Sequence, residues 1–182
     1  MSIYHVIEEL LEMAKIKRKK GKRIPWNKGR IVGQRAPLSL SEVTRVKKML
    51  AKRGDSGLRD RALFLTAIDT RLSSKELLEL TVKVVRKRTR EMRDTFSMTT
   101  TRNGQKVRCE LSKTTMGALE KWINQSAKKP NNYLFTGRVG GGMTPLSVRQ
   151  FSRLVKTWTA DIGLDASAYG TESLRKTGAL KR

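Results

Sequence analysis

The period of apolar and polar positions changes twice along the chain. From Ser39 it is helical: Ser39-Leu40-Ser41-Glu42 has the capping-box pattern, in which a serine hydroxyl and a glutamate three residues later satisfy backbone N–H groups at a helix start. Val43, Val46 and Leu50 then recur on one stripe, which predicts a helix to about Arg53. Gly54 to Gly57 reads as a turn. "LRDRALFLTAID" follows, apolar almost all round through Ala62, Leu63, Phe64, Leu65, Ala67 and Ile68, and predicts a central buried helix. "SSKELLEL" adds a short helix capped by Ser73 or Ser74. The period then becomes two, and "LTVKVV", "TFSMTTT" and "KVRCEL" predict three short strands. The last two are joined at Arg102-Asn103-Gly104-Gln105, where Asn-Gly favours a tight turn.

Helical spacing returns with Met116, Leu119, Trp122 and Ile123. "AKKPNNYLFTGRVGGGMTP" is a long loop with Tyr133-Leu134-Phe135 as its apolar anchor. Ser147-Val148-Arg149-Gln150 is a further capping box, opening a helix that buries Phe151, Leu154, Val155, Trp158 and Ile162. A last helix begins around Ser173-Leu174-Arg175-Lys176. The pattern as a whole predicts an α+β fold, mainly helical, with a small three-stranded antiparallel sheet.

Residues 1–38 stand apart. An amphipathic start with Val6, Leu10, Leu11 and Met13 runs into a stretch with seven basic residues of nine between Lys15 and Arg23, and a Pro-, Gly- and Asn-punctuated segment ends it. This predicts a basic N-terminal helix and arm over 1–38, followed by one domain over 39–182.

Charge narrows the function. Forty Lys and Arg against sixteen Asp and Glu leave a net charge of +24, a self-repulsion that a polyanion relieves. Double-stranded DNA is the expected partner, with an RNA-binding basic protein as the alternative. No run of eighteen apolar residues and no cleavable apolar leader is present, so a membrane role is not expected and a cytoplasmic, nucleoid- or plasmid-associated protein is. No cofactor or metal site is expected. Cys109, the only cysteine, lies in the alternation Val107, Cys109, Leu111 and reads as a small buried thiol, and His5 is the only histidine. Basic residues at three- and four-residue spacing also line the polar sides of two helices, Arg45, Lys48 and Lys52 on the first and Arg149, Arg153 and Lys156 on the last long one. Together with the hairpin they predict a continuous DNA-facing surface.

Three separated strings, "RDRALFLTAIDTRLSSKELLELTV", "YLFTGRVGGGMTPLSVRQFSRLVKTW" and "IGLDASAYGTESLRKT", resemble in order and spacing the catalytic domain of the tyrosine recombinases, the phage-integrase family. The resemblance covers roughly residues 33 to 180. It implies a site in which two arginines clamp the scissile phosphate, a hairpin lysine protonates the leaving oxygen, a histidine and a second histidine or tryptophan assist, and a tyrosine near the C-terminus attacks phosphorus.

Carried over residue by residue, that set is depleted. Ser73 stands at the first arginine, with Arg71 two residues earlier; Arg102 stands at the hairpin lysine, with Lys106 past the turn; Glu172 stands at the histidine. Arg175 matches the second arginine, and the attacking tyrosine falls beyond Arg182. The resemblance thus implies a degenerate, C-terminally shortened domain that is no longer an enzyme: a DNA-binding accessory or regulatory factor in recombination, transfer or transcription of mobile DNA. An active recombinase or nicking enzyme, with an altered site or a nucleophile supplied in trans, is the alternative. The expected DNA contacts are Arg175, Lys176, Arg102, Lys106, Arg71, the two helix faces, and Lys17, Arg18, Lys19, Lys20, Lys22 and Arg23 of the arm. A homo-oligomer or a partner protein is expected to cover the apolar surface left by the absent C-terminal segment.

Overall fold

The computed structural model describes residues 35–101, 104–137 and 144–180, which form seven helices and one two-stranded sheet. The N-terminal arm, with its basic run, lies outside the described residues.

Helix α1 (Leu40–Lys52) starts with the capping box that its sequence encodes: Glu42 N–H donates to Ser39 Oγ at 3.3 Å and Ser39 N–H to Glu42 Oε2 at 2.7 Å. Val43, Val46 and Leu50 are its buried stripe. Helix α2 (Asp55–Thr70) begins at Asp55, so the expected turn over residues 54–57 contracts to Arg53-Gly54, with Gly54 at φ 56°. Gly57 lies inside α2. A Cβ there would overlap the Leu50 carbonyl oxygen and approach Arg53 Cβ to 2.8 Å, so this glycine serves the close crossing of α1 and α2 rather than a turn.

Helix α2 is central, and α1, α5 (Lys113–Gln125) and α7 (Thr171–Leu180) pack around it. Its buried Asp60 takes Arg59 Nε and Nη2 on Oδ1 at 3.0 and 2.9 Å and Trp158 Nε1 on Oδ2 at 3.2 Å, which ties α2 to α6 (Val148–Asp161). Phe64 meets the Trp158 ring edge-to-face at 5.8 Å between centroids, which adds specific aromatic packing at the same junction. At the other end of α2, Asp69 Oδ2 accepts from Ser112 N–H at 3.0 Å and from Thr115 Oγ1, anchoring the start of α5.

Helix α3 (Ser74–Leu78) is capped by Ser73. The expected first strand is corrected: Val82–Val85 forms a single helical turn, α4, and the sheet has two strands. Val82 and Val85 are buried three residues apart, whereas a strand would bury alternate positions, and the N–H groups of Val82 and Lys83 donate to Asn132 O and Pro130 O of the long loop. Alternating valines are compatible with either geometry, and the loop supplied the partners. Strands β1 (Thr95–Thr99) and β2 (Lys106–Glu110) pair antiparallel, from Thr95 opposite Glu110 to Thr99 opposite Lys106.

The loop anchor is as the pattern predicts: Leu134 and Phe135 are fully buried, and Trp122 Nε1 donates to Leu134 O at 2.8 Å. Helix α6 forms its capping box at Ser147 and buries Phe151, Val155 and Trp158, with Leu154 half-buried. Cys109 is buried against Thr70 O. Burial pushes its thiol up to about 11, with only partial relief from Arg71 nearby, so it is an inert core group. Arg35 to Leu38 pack on this body: Leu38 is buried and its N–H donates to Thr177 Oγ1 of α7 at 2.8 Å.

Candidate nucleic-acid interface

Helix α2 ends in a left-handed cap. Arg71 adopts φ 55°, ψ 21° with its N–H on Ala67 O, a conformation that glycine normally fills at helix ends. The cap reverses the chain into Leu72, which is buried, and Ser73, whose hydroxyl is taken up by the α3 capping box. A side chain held at positive φ costs roughly 1 kcal/mol, and it turns Arg71 toward α7.

Gly178 makes that approach possible. A Cβ at this position would overlap Ile68 O and come within 2.6 Å of Arg71 Cγ, so α7 lies directly on the last turn of α2. Ser173, Leu174, Thr177 and Gly178 form the buried side of α7, and Glu172 and Arg175 project from the exposed side. The result is a cleft of about 720 Å³ lined by Arg71, Ser73, Glu76, Thr100, Thr101, Gln105, Arg108 and Arg175, among others. Three arginines from three different elements line it.

Glu76 ties this cleft together. Its Oε2 accepts from Ser73 N–H at 3.0 Å and Ser73 Oγ at 2.6 Å, and its Oε1 accepts from Thr101 N–H at 2.9 Å. The carboxylate therefore links the start of α3 to the turn end of the β1–β2 hairpin. Burial works to raise its pKa, but the bonds from Ser73 and Thr101 outweigh it and hold the carboxyl below the ordinary value of 4.5. A depressed carboxyl contributes stability that is present above its unfolded pKa and lost as pH falls through the folded one. Thermal stability is thus expected to drop on acidification below 4.5, and Glu76→Gln is expected to flatten that part of the profile in a pH series of melting curves. An unchanged acid limb in the variant would count against this role.

Glu172 does more than stand where a histidine is expected. Its Oε1 meets Arg175 Nη1 at 3.5 Å, with both side chains 50% exposed. Exposed pairs of this kind contribute about 0–1 kcal/mol, so the contact is readily exchanged for another anion.

Of the sequence-predicted residues, Ser73, Arg71 and Arg175 are brought to one cleft, with Glu172 at its edge. Lys106 is exposed on β2 opposite Thr99, while Arg102 lies outside the described residues, as do Lys17, Arg18, Lys19, Lys20, Lys22 and Arg23. Arg149, Arg153 and Lys156 are exposed on α6, and Lys48 and Lys52 on α1, none of them lining the cleft.

Two of the expected DNA contacts also make bonds within the chain. Lys176 is half-buried and Nζ donates to Arg35 O at 3.1 Å, and Arg45 donates through Nη2 to Ile162 O at the end of α6. With the Arg53–Asp161 ion pair, the Arg45 contact sets α1 beside the end of α6. Both cations point where helix-end or linker carbonyls needed a donor.

Arg108 is not among the contacts expected from the sequence, because "KVRCEL" reads first as a strand; its polar phase, opposite to Cys109, is the signal that places it outside the core. Neither Tyr133 nor Tyr169 lines the cleft. Burial, reinforced by Glu42 and Asp165, raises the Tyr169 phenol, the opposite of activation. Among the described residues, no helix is long and apolar enough to cross a membrane, and no group of three His, Cys, Asp or Glu side chains could hold a metal ion.

The same architecture is found in solved recombinases. XerA recombinase superposes at a TM-score of 0.62 with 17% identity, covering 79% of this chain and 48% of that one. XerH site-specific recombinase, bound to difH substrate in a pre-cleavage complex, gives 0.62 with 18% identity over 79% of this chain and 42% of that one. The Tn1549 transposon integrase, in complex with circular intermediate DNA, gives 0.57 with 16% identity over 82% of this chain and 52% of that one. The chain thus spans about half the length of the solved proteins it resembles. No curated protein sequence matches it. The family model described as "Phage integrase family" matches residues 37–181. With the mainly helical fold, the hairpin and Arg175 in their expected order, the chain belongs to the phage integrase family of tyrosine recombinases.

Proposed function

We propose that this chain is a duplex-DNA-binding protein in which a recombinase-type domain grips the phosphate backbone without cutting it, serving as an accessory or regulatory factor in recombination, transfer or transcription of mobile DNA. The observation that carries the reading is the convergence of Arg71, Arg108 and Arg175 on one cleft while Ser73 is engaged in a helix cap and Glu172 is paired with Arg175. Guanidinium forks match phosphoryl oxygens bidentately, and such contacts need no nucleophile or proton donor to contribute binding. The XerH and Tn1549 integrase structures hold DNA, and a net charge of +24 fits the same partner.

Cleavage asks for more than a grip. Each missing group that stabilises the transition state costs about two to three orders of magnitude in rate. Here Ser73 and Glu172 replace an arginine and a histidine of the family pattern, and Arg102 replaces a lysine with a side chain that does not release its proton.

The test is a fluorescence-anisotropy titration with a duplex at several salt concentrations. With about eight phosphate contacts, the log–log slope of affinity against salt is expected near about −7. Arg71→Ala and Arg175→Ala are each expected to weaken binding by about 5- to 30-fold and to make the slope shallower by about one. Glu172→Gln, which frees Arg175, is expected to tighten it two- to fivefold, on the order of the value of an exposed pair. A flat salt dependence overturns the binding reading. A covalent adduct trapped on a nicked suicide duplex overturns the non-cutting one, in favour of an altered active recombinase.

A further inference from the structure

At the opposite end of the β1–β2 hairpin from the arginine cleft lies a second pocket, of about 670 Å³. Eight of its thirteen lining residues are Lys or Arg and none is acidic. Lys83, Arg86, Arg88, Arg90, Arg93 and Lys129 come from α4, the turn before β1 and the loop after α5. The segment from Arg93 at this pocket to Thr100 at the cleft contains β1, whose five residues span about 13 Å at roughly 3.3 Å per residue.

The turn is a built feature. Lys87 N–H donates to Glu91 O at 2.8 Å and Arg90 N–H to Lys87 O at 3.1 Å, and the Arg90 carbonyl fixes Arg86 Nε at 2.8 Å. Arg90 itself sits at φ 67°, where glycine would be unstrained. Lys87 is paired with Glu91 at 3.0 Å, and Lys128 is engaged by Thr136 Oγ1 at 2.9 Å and by the Trp122 ring. Lys83, Arg88, Arg90, Arg93 and Lys129 make no side-chain bond or ion pair among the described residues, so most of the charge faces outward uncompensated. A cluster of like charges held together this way is unfavourable unless an anion joins it.

We infer that this pocket is a second phosphodiester site, so that one copy of the chain holds two duplex DNA segments at once, one at the cleft and one at the far end of the hairpin. The inference rests on the DNA-binding reading of the cleft. Arginines make up half of the eight cations, and their planar forks suit phosphate. The apolar part of the lining is Val82, Ile123, Ala127 and Pro130, with no aromatic residue on which an unpaired base could stack, which favours a duplex over a single strand. Among the described residues the large apolar side chains that stand exposed, Leu40, Val148 and Leu180, are not part of its lining, so an acidic peptide would find no aromatic or large exposed apolar anchor there.

The test is bridging: the protein is mixed with a bead-tethered 30-base-pair duplex (about three turns of DNA, enough to cover one site) and the capture of a second, fluorescent duplex is measured. The combined variant Arg88→Gln, Arg90→Gly, Arg93→Gln is expected to lose at least about tenfold in capture while binding to a single duplex falls no more than about threefold. Its melting temperature should be retained or raised, since glycine suits the positive φ at position 90. The cleft variant Arg71→Ala, Arg175→Ala keeps the two readings separable. If the cleft is not a DNA site, that variant binds a single duplex as the parent does; if the distal pocket is not one, the distal variant captures the second duplex as well as the parent. The inference is also overturned by a parent protein that captures no second duplex, or by capture that poly-glutamate suppresses in the distal variant and the parent alike.

Discussion

Gly178→Ala is expected to lower the melting temperature by roughly 10 °C and to weaken DNA binding beyond what the lost stability explains. The added methyl would overlap a backbone carbonyl of α2, Ile68 O, and press within 2.6 Å of Arg71 Cγ. Backbone on the most buried helix of the fold cannot give way as a flexible side chain can. Overpacking costs typically about 1–3 kcal/mol, and the obstruction by a carbonyl places this site at the upper end. For a domain of this size each kilocalorie corresponds to about 2–4 °C. The functional part of the effect comes from Arg71, which α7 would push away from Arg175 as it lifts. Thermal melts measure the first part and anisotropy titrations well below the transition measure the second. A shift under about 2 °C would mean that α7 and α2 separate more easily than the packing implies.

Asp60→Ala is expected to be the most destabilising single change in the core. Asp60 is 5% exposed and satisfies Arg59 and Trp158 together. Removing it leaves a largely buried guanidinium without its counter-charge and an indole N–H without an acceptor, on the order of 3–5 kcal/mol for breaking a buried pair. Asp60→Asn keeps one acceptor oxygen but loses the charge and turns an amide NH2 toward either the guanidinium or the indole N–H, so it should cost less than Ala only by what the one retained bond contributes, about 1 kcal/mol. Urea unfolding is the measurement: the midpoint should fall in the order parent, Asn, Ala with the slope unchanged. Equal midpoints for the two variants would show that a single retained acceptor contributes nothing and that Asp60 acts only as a two-oxygen carboxylate. The Arg59 guanidinium also reaches Thr136 O at 3.4 Å, so the loop before α6 should loosen with it.

These two residues show why only part of the site is readable along the chain. Ser39, Ser73 and Ser147 each declare a helix start because the residues that answer them lie three positions on. Leu134 and Phe135 declare burial because two large apolar groups in a polar loop have nowhere else to go. Arg175 could be named in advance because its string is a family motif. Arg71 stands two residues before the family's first-arginine position, with nothing local to say where it points. Its position follows from a left-handed cap and a glycine about a hundred residues later. Lys176 and Arg45 carried the same charge signal as Lys48 and Arg153, yet the fold gives them carbonyl oxygens to satisfy.

The amino-acid sequence by itself determined the helix starts, the apolar stripes, the family and the surplus of positive charge, because each rests on residues a few positions apart or on their sum. The tertiary structure decided that Val82–Val85 coils instead of pairing, since loop carbonyls at residues 130 and 132 accept its N–H groups. It also decided which arginines share a cleft and which cations reach carbonyl oxygens within the chain. It placed a second cationic pocket at the far end of the hairpin, from residues scattered between 82 and 130. Local bonding chooses the elements, and only long-range packing chooses which side chains meet.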